Sequence, residues 1–387
     1  MKRPGVIAVL VFVLAGCGGD GGDKAAVPAT SAPGLPFAEA ATTPLDPAKA
    51  QALQDVLAKI VSRYAANPDD EAASRGVSAA VVTDKWTWSG AAGKDALGTA
   101  LTPTTSLGVA SITKTFVAAE VMLLAKDQKI DLDAPIASYL KNKLTANNAT
   151  VRQHLAMLSG VPNYLPDDYG RMDKVIKAAP GKHWTPEQAL SYDTASVGQP
   201  GTYNYSNPSY VLLGMVIEKA TGQPLATVLR RDLATPAGLE RAAFQDGEKP
   251  EPPVAGDKNP VCGPKDDGYL PCRAIASLSA ANAGLAADAP TVARWGYELY
   301  GGRVIPADLV GQMTKGDGEY GLGTMQFTQR FGIGPAVGHR GEMPDYMSLL
   351  VVIPEKRLSI ALLFANGNKQ IDTAMTDLAN ALQPLVS

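Results

Sequence analysis

A serine placed three residues ahead of a lysine, Ser111-Ile112-Thr113-Lys114, is the pair in this sequence best suited to nucleophilic chemistry. The composition of residues 113–125 predicts a helix starting here, and positions i and i+3 of a helix share a face. A serine hydroxyl becomes a useful nucleophile only when a neighbour takes its proton. A lysine amine can take it only if its pKa falls, which burial and the positive end of a helix both promote. Taken alone, the pair also fits an N-cap serine beside a surface lysine.

Two further groups carry matching chemistry. Tyr205-Ser206-Asn207 follows the turn Gln199-Pro200-Gly201 and precedes an apolar helix predicted over residues 210–220. A tyrosine hydroxyl beside a cationic lysine can share its proton and relay it to a leaving group. An asparagine amide both donates and accepts, which suits holding a substrate amide and fixing the lysine. The bland reading is a buried tyrosine beside a helix-capping asparagine. Gly338-His339-Arg340-Gly341 falls on a predicted strand. A cation there would stabilise developing negative charge, and the glycines allow close backbone approach. The other histidines, His154 and His183, fall in the helical region.

The elements that must position these groups follow from periodicity. Leu53, Val56, Leu57, Ile60 and Val61 recur at helical spacing within residues 47–64. Residues 76–83 and 86–92 read as strands joined at Asp84-Lys85. Helical patterns dominate from residue 113 to about residue 237. Strand patterns return at 320–327, 336–341, 346–353 and 358–365, the last two joined by Pro354-Glu355-Lys356, and residues 371–385 read as a helix. The expected class is α/β (α+β): an antiparallel sheet flanked by helices and built from both termini, with an inserted helical lobe. The folded domain is expected over residues 48–387, its sheet lobe over 48–110 and 275–387 and its helical lobe over 111–245. Residues 246–271, rich in Pro, Gly and Asp, read as a long loop. A cleft between two lobes is where sites are often found.

Weak singly, the three groups together resemble the serine β-lactamase and penicillin-binding group. The branch is the one holding class C β-lactamases, D-alanyl-D-alanine carboxypeptidases and related esterases. The resemblance runs from about residue 50 to the C-terminus. It is supported by residues 154–161, 200–222 and 282–288. It implies that Ser111 is acylated, that Lys114 and Tyr205 share the general base and acid roles, and that Asn207 binds the substrate amide. His339 takes the third-motif place, and the backbone N–H groups of Ser111 and Glu342 form an oxyanion hole. It implies no metal and no organic cofactor.

The sequence departs from the β-lactamase pattern at the third motif. Many β-lactamases carry K-T-G or K-S-G there, whereas His-x-Gly occurs in some carboxypeptidases, aminopeptidases and esterases. Arg340 stands where a hydroxyl residue often contacts a substrate carboxylate. If Arg340 and Glu342 face the cleft, the first attracts a carboxylate and the second repels one. A D-alanyl carboxypeptidase-like activity on peptidoglycan-derived peptides is expected first. A carboxylic-ester or small-amide hydrolase and a β-lactamase follow. The alternative of another class is a penicillin-sensing or wall-binding lipoprotein without turnover. No G-x-S-x-G elbow is present, which disfavours an ordinary α/β-hydrolase.

Bulk properties bound the rest. Apolar residues make up 45% of the 387 and charged residues 19%, which argues for a globular chain rather than a disordered one. The formal net charge of -3 and the absence of a basic stripe argue against a nucleic-acid partner. At the N-terminus Lys2 and Arg3 precede an apolar run over residues 6–15, too short to span a bilayer. Leu14-Ala15-Gly16-Cys17 resembles the bacterial lipobox. Residues 1–16 are therefore expected to be a signal peptide, Cys17 a lipidated residue and 17–47 a flexible tether. The expected address is the outer face of the cell membrane or envelope. Cys262 and Cys272 then remain as an even pair that can oxidise outside the cytoplasm.

Overall fold

The computed structural model describes residues 34–65, 76–263, 267–316, 318–365 and 370–386. The expected signal peptide, Cys17 and residues 17–33 of the expected tether lie outside the described residues.

Six antiparallel strands form the main sheet. They are β1 (Gly76–Val82), β2 (Thr87–Gly93), β6 (Met325–Phe327), β7 (Ala336–Met343), β8 (Tyr346–Ile353) and β9 (Leu358–Phe364), in the order β2-β1-β9-β8-β7-β6. The sheet joins both ends of the chain, because β1 pairs with β9 from Val77 opposite Phe364 to Val82 opposite Ser359. Every residue of β1, β8 and β9 is buried. Both faces of the sheet are covered, so these strands read as continuous apolar runs instead of alternating.

Helix α1 (Pro47–Ala65) and the C-terminal helix Ile371–Leu382 close one face. Leu53, Leu57 and Ile60 pack there with Met375, Leu378 and Leu382 against Val77, Leu349 and Leu362. The other face meets the helix Ala289–Tyr300, whose Trp295 stacks on Phe116 of α2 (Thr113–Lys126) with centroids 3.7 Å apart. Trp295 Nε1 also donates to Thr115 Oγ1 at 2.8 Å, which fixes α2 to that helix through one side chain. Helix α2 is buried at almost every position, as expected of a helix that is apolar all round and lies in a core.

The structure changes three expectations. Residues 34–45 are docked rather than tethering. The Phe37 N–H donates to Gly301 O, Ala41 N–H to Thr83 O and Leu45 N–H to Thr87 O, and Phe37 is 2% exposed. This irregular segment has no periodicity to betray its buried side chains, Phe37 and Leu45. The strand expected over 320–327 is confined to Met325–Phe327, because Gly323 (φ +69°) turns the chain just before it. Finally, β3 (Leu107–Gly108), β4 (Ala243–Phe244) and β5 (Leu285–Ala287) form a separate small sheet in the order β3-β5-β4. Strands of two or three residues leave no legible alternation.

Candidate active site

Ser111 sits in a short 3-10 turn, Ala110–Ile112, immediately ahead of α2. Ala110 adopts φ +48°, a left-handed conformation that costs an alanine roughly 1–2 kcal/mol. Neighbouring elements hold that strain in place. Ser348 Oγ of β8 donates to Val109 O at 2.7 Å. Thr113 Oγ1 donates to Ala110 O at 2.7 Å and accepts the Leu285 N–H of β5 at 3.0 Å. The turn leaves Ser111 partly exposed while Lys114, one helical step behind, is fully buried.

Lys114 Nζ has three polar neighbours. It lies 3.0 Å from Ser111 Oγ, 2.9 Å from Asn207 Oδ1 and 2.8 Å from the backbone oxygen of Asn282. Burial holds its pKa well below the ordinary lysine value. A neutral amine has two N–H donors and one lone pair. Asn207 Oδ1 and Asn282 O can only accept, so they take both donors. The lone pair is left facing the Ser111 hydroxyl, as proton abstraction requires.

Tyr205 lies in the loop that enters the helix Asn207–Thr221. Its ring centroid is 4.9 Å from Lys114 Nζ. Burial pushes its phenol above the ordinary tyrosine value, while a hydrogen bond with Ser111 acts in the opposite direction. The helix cap is Ser206, whose hydroxyl accepts the Ser209 N–H at 3.1 Å, and Pro208 supports the first turn. Asn207 is therefore freed from capping. Its side-chain oxygen engages Lys114, and its backbone N–H donates to Asn163 Oδ1 at 3.1 Å. Tyr169 also hydrogen-bonds with Asn207 and Asn163.

Strand β7 forms the opposite wall. A side chain on Gly341 would place its Cβ 2.3 Å from Val109 O and 3.1 Å from Ala110 Cβ, so this glycine lets the strand press against the nucleophile turn. His339 shares that pleat face and is fully buried. Its Nε2 lies 3.0 Å from the Tyr320 hydroxyl and its Nδ1 2.6 Å from Arg340 O. Its pKa falls to about 3, chiefly through burial and then through Lys114, opposed by the Arg340 carbonyl.

Arg340 and Glu342 alternate onto the other pleat face, a direction the sequence leaves open. Arg340 Nη1 reaches Asp372 Oδ2 at 3.4 Å, at the start of the C-terminal helix, and Nη2 lies 3.8 Å from Glu342 Oε2. The backbone of Glu342 still follows Gly341 along the wall. The remaining expected residues lie elsewhere. His154 is buried without a partner for either ring nitrogen, and His183 pairs with Asp246 at 2.7 Å. Cys262 and Cys272 are joined by a disulfide beside Tyr164, Met172 and Trp184.

Sequence reasoning missed Asn163, Tyr169, Tyr320 and the Asn282 carbonyl. A backbone oxygen carries no side-chain signature. The other three are single polar residues whose role appears only when separate elements converge, Tyr169 from the helix Pro166–Ala178.

Comparison with known proteins agrees with this geometry. The family model described as Beta-lactamase matches residues 57–383. A D-aminopeptidase of Gluconobacter oxydans is 27% identical over 287 residues, covering 68% of this chain and 50% of that protein. The aligned regions span about a third to a half of the curated relatives this chain matches. The crystal structure of a D-stereospecific amidohydrolase from Streptomyces sp. superposes with a TM-score of 0.69 at 26% identity, covering 83% of this chain and 97% of that one. A D-amino acid amidase from Ochrobactrum anthropi shares the fold at a TM-score of 0.73 and 22% identity, covering 88% of this chain and 100% of that one. The chain belongs to the Beta-lactamase family of serine hydrolases.

Proposed function

We propose that this protein hydrolyses short amides of D-amino acids through an acyl-enzyme on Ser111. The observation that carries the reading is the buried Lys114 amine, its two donors occupied and its lone pair facing Ser111 Oγ at 3.0 Å. Lys114 takes the Ser111 proton as Oγ bonds to the substrate carbonyl carbon. The resulting oxyanion lies against the backbone N–H groups of Ser111 and Glu342, donors of a kind worth roughly 3–4 kcal/mol each. Tyr205 relays the proton to the leaving amine, and the C–N bond breaks. Water then attacks the ester, and the same groups run in reverse. Where the substrate carries a second amide, Asn207 Nδ2 donates to its carbonyl oxygen.

The third motif supports amides over the carboxypeptidase reading. A peptide ending in a free carboxylate needs a cation near its leaving side. His339 is held neutral, and Arg340 is turned toward Asp372. Neither supplies that charge. The names of the D-aminopeptidase and D-stereospecific amidohydrolase relatives point the same way.

The test compares kcat/KM for D-alanine p-nitroanilide, its L-enantiomer and N-acetyl-D-alanyl-D-alanine. The D-anilide is expected to lead, and a tenfold preference for the acetylated dipeptide would restore the carboxypeptidase assignment. We further propose export with a lipid on Cys17. Cys17→Ser is expected to move the protein from membrane to soluble fractions, and unchanged membrane association would sink the anchor.

A further inference from the structure

His339 occupies the third-motif position, yet both of its ring nitrogens are already engaged away from the cleft. Nδ1 is 2.6 Å from Arg340 O, which can only accept, so Nδ1 must carry a proton. The ring is neutral, so Nε2 holds a lone pair and must accept from the Tyr320 hydroxyl at 3.0 Å. Tyr320 itself is buried, and its phenol is raised well above the ordinary value by that burial, which keeps it a donor. The Tyr210 hydroxyl also hydrogen-bonds with Tyr320; Tyr210 gives its own proton to Leu155 O at 3.0 Å, so Tyr320 is the donor there too and shares its one proton between Tyr210 and Nε2. The reverse arrangement would set the Nδ1 lone pair against the Arg340 carbonyl.

We propose that Tyr320 is a positioning residue, acting through His339 to brace the Arg340 carbonyl and thereby the stretch of β7 that presents the Glu342 N–H. This rests on the serine-hydrolase reading above. Strand β6 pairs with β7 only over Ala336 to Gly338. Beyond Gly338, that edge of β7 has no strand partner among the described residues. The chain Tyr320 hydroxyl, His339 ring, Arg340 carbonyl braces it instead, just where Gly341 packs on the nucleophile turn. The charged and titratable groups facing the imidazole are Lys114 from α2, Tyr205 from the preceding loop and Tyr320 itself.

The test is 15N NMR of the imidazoles in the full chain. With three histidines in the sequence, His339→Gln assigns the signal. The wild-type ring is expected to be a single neutral Nδ1–H tautomer across pH 5–8. A dominant Nε2–H form, or a ring that titrates near neutrality, would overturn the proposal. In Tyr320→Phe the Nε2 lone pair loses its donor, so the protonation midpoint of His339 is expected to rise. There kcat should fall about tenfold as the strand loses its brace, with KM little changed. An unmoved midpoint with unchanged kcat would also refute the role. The tautomer needs no substrate, so a failure of the amide-hydrolase reading stays distinguishable from a failure of this one.

Discussion

Gly341→Ala isolates the contact between β7 and the nucleophile turn. An added Cβ would lie 2.2 Å from Ser348 Oγ and 2.3 Å from Val109 O, whereas ordinary van der Waals contact begins at 3.4 Å. The Ser348 side chain can rotate, but the Val109 oxygen is backbone. The strand must therefore retreat by about 1 Å from a turn whose next residues are Ala110 and Ser111. Such overpacking typically costs about 1–3 kcal/mol of stability. A misplacement of about 1 Å between reacting groups and their donors is worth roughly 100-fold in rate, or about 2.7 kcal/mol. Steady-state kinetics with D-alanine p-nitroanilide, beside thermal melts, should show a folded protein with kcat reduced about 100-fold. A folded variant within threefold of wild-type kcat would refute the claim that close approach of β7 builds the site.

Three further outcomes follow from two buried ionisable groups. Lys114 must be neutral to act, and burial depresses its pKa, so kcat/KM should rise with pH on an acid limb whose midpoint lies well below the ordinary lysine value. Lys114→Arg, which cannot deprotonate, should lose roughly 100-fold or more at every pH, and a variant with wild-type rates would remove Lys114 as the base. Glu120 on α2 is buried, and its pKa is raised to about 8 by burial and then by the Asp232 carboxylate, with which it shares a hydrogen bond. The folded state keeps this proton longer than the unfolded chain, so stability is full near pH 4 and drains as pH rises through 8. Glu120→Gln should therefore raise Tm at pH 9 more than at pH 5, and an equal effect at both would contradict the assignment.

Much of the frame was legible because it rests on strong periodicity. The apolar runs of β8 and β9 and the helical spacing in α1 survive in the structure almost residue for residue. Ser111 and Lys114 were legible because an i, i+3 pair on a helix start has a fixed geometry, and the 3-10 turn preserves it. The direction of Arg340 was not. Whether a strand residue faces the cleft depends on the pleat phase, and that is set here by Gly341 packing on Val109. The docking of residues 34–45 was hidden for a different reason. It depends on single backbone donors meeting Gly301, Thr83 and Thr87 from distant elements, which local composition cannot report.

The central claim is that Ser111 carries the acyl group during turnover. Rapid acid quench of the wild-type protein turning over D-alanine methyl ester, followed by intact-mass analysis and peptide mapping, addresses it directly. A D-alanyl adduct on Ser111, absent from Ser111→Ala, is expected, with turnover lost in that variant. An adduct on another residue, or hydrolysis retained by Ser111→Ala, would contradict it.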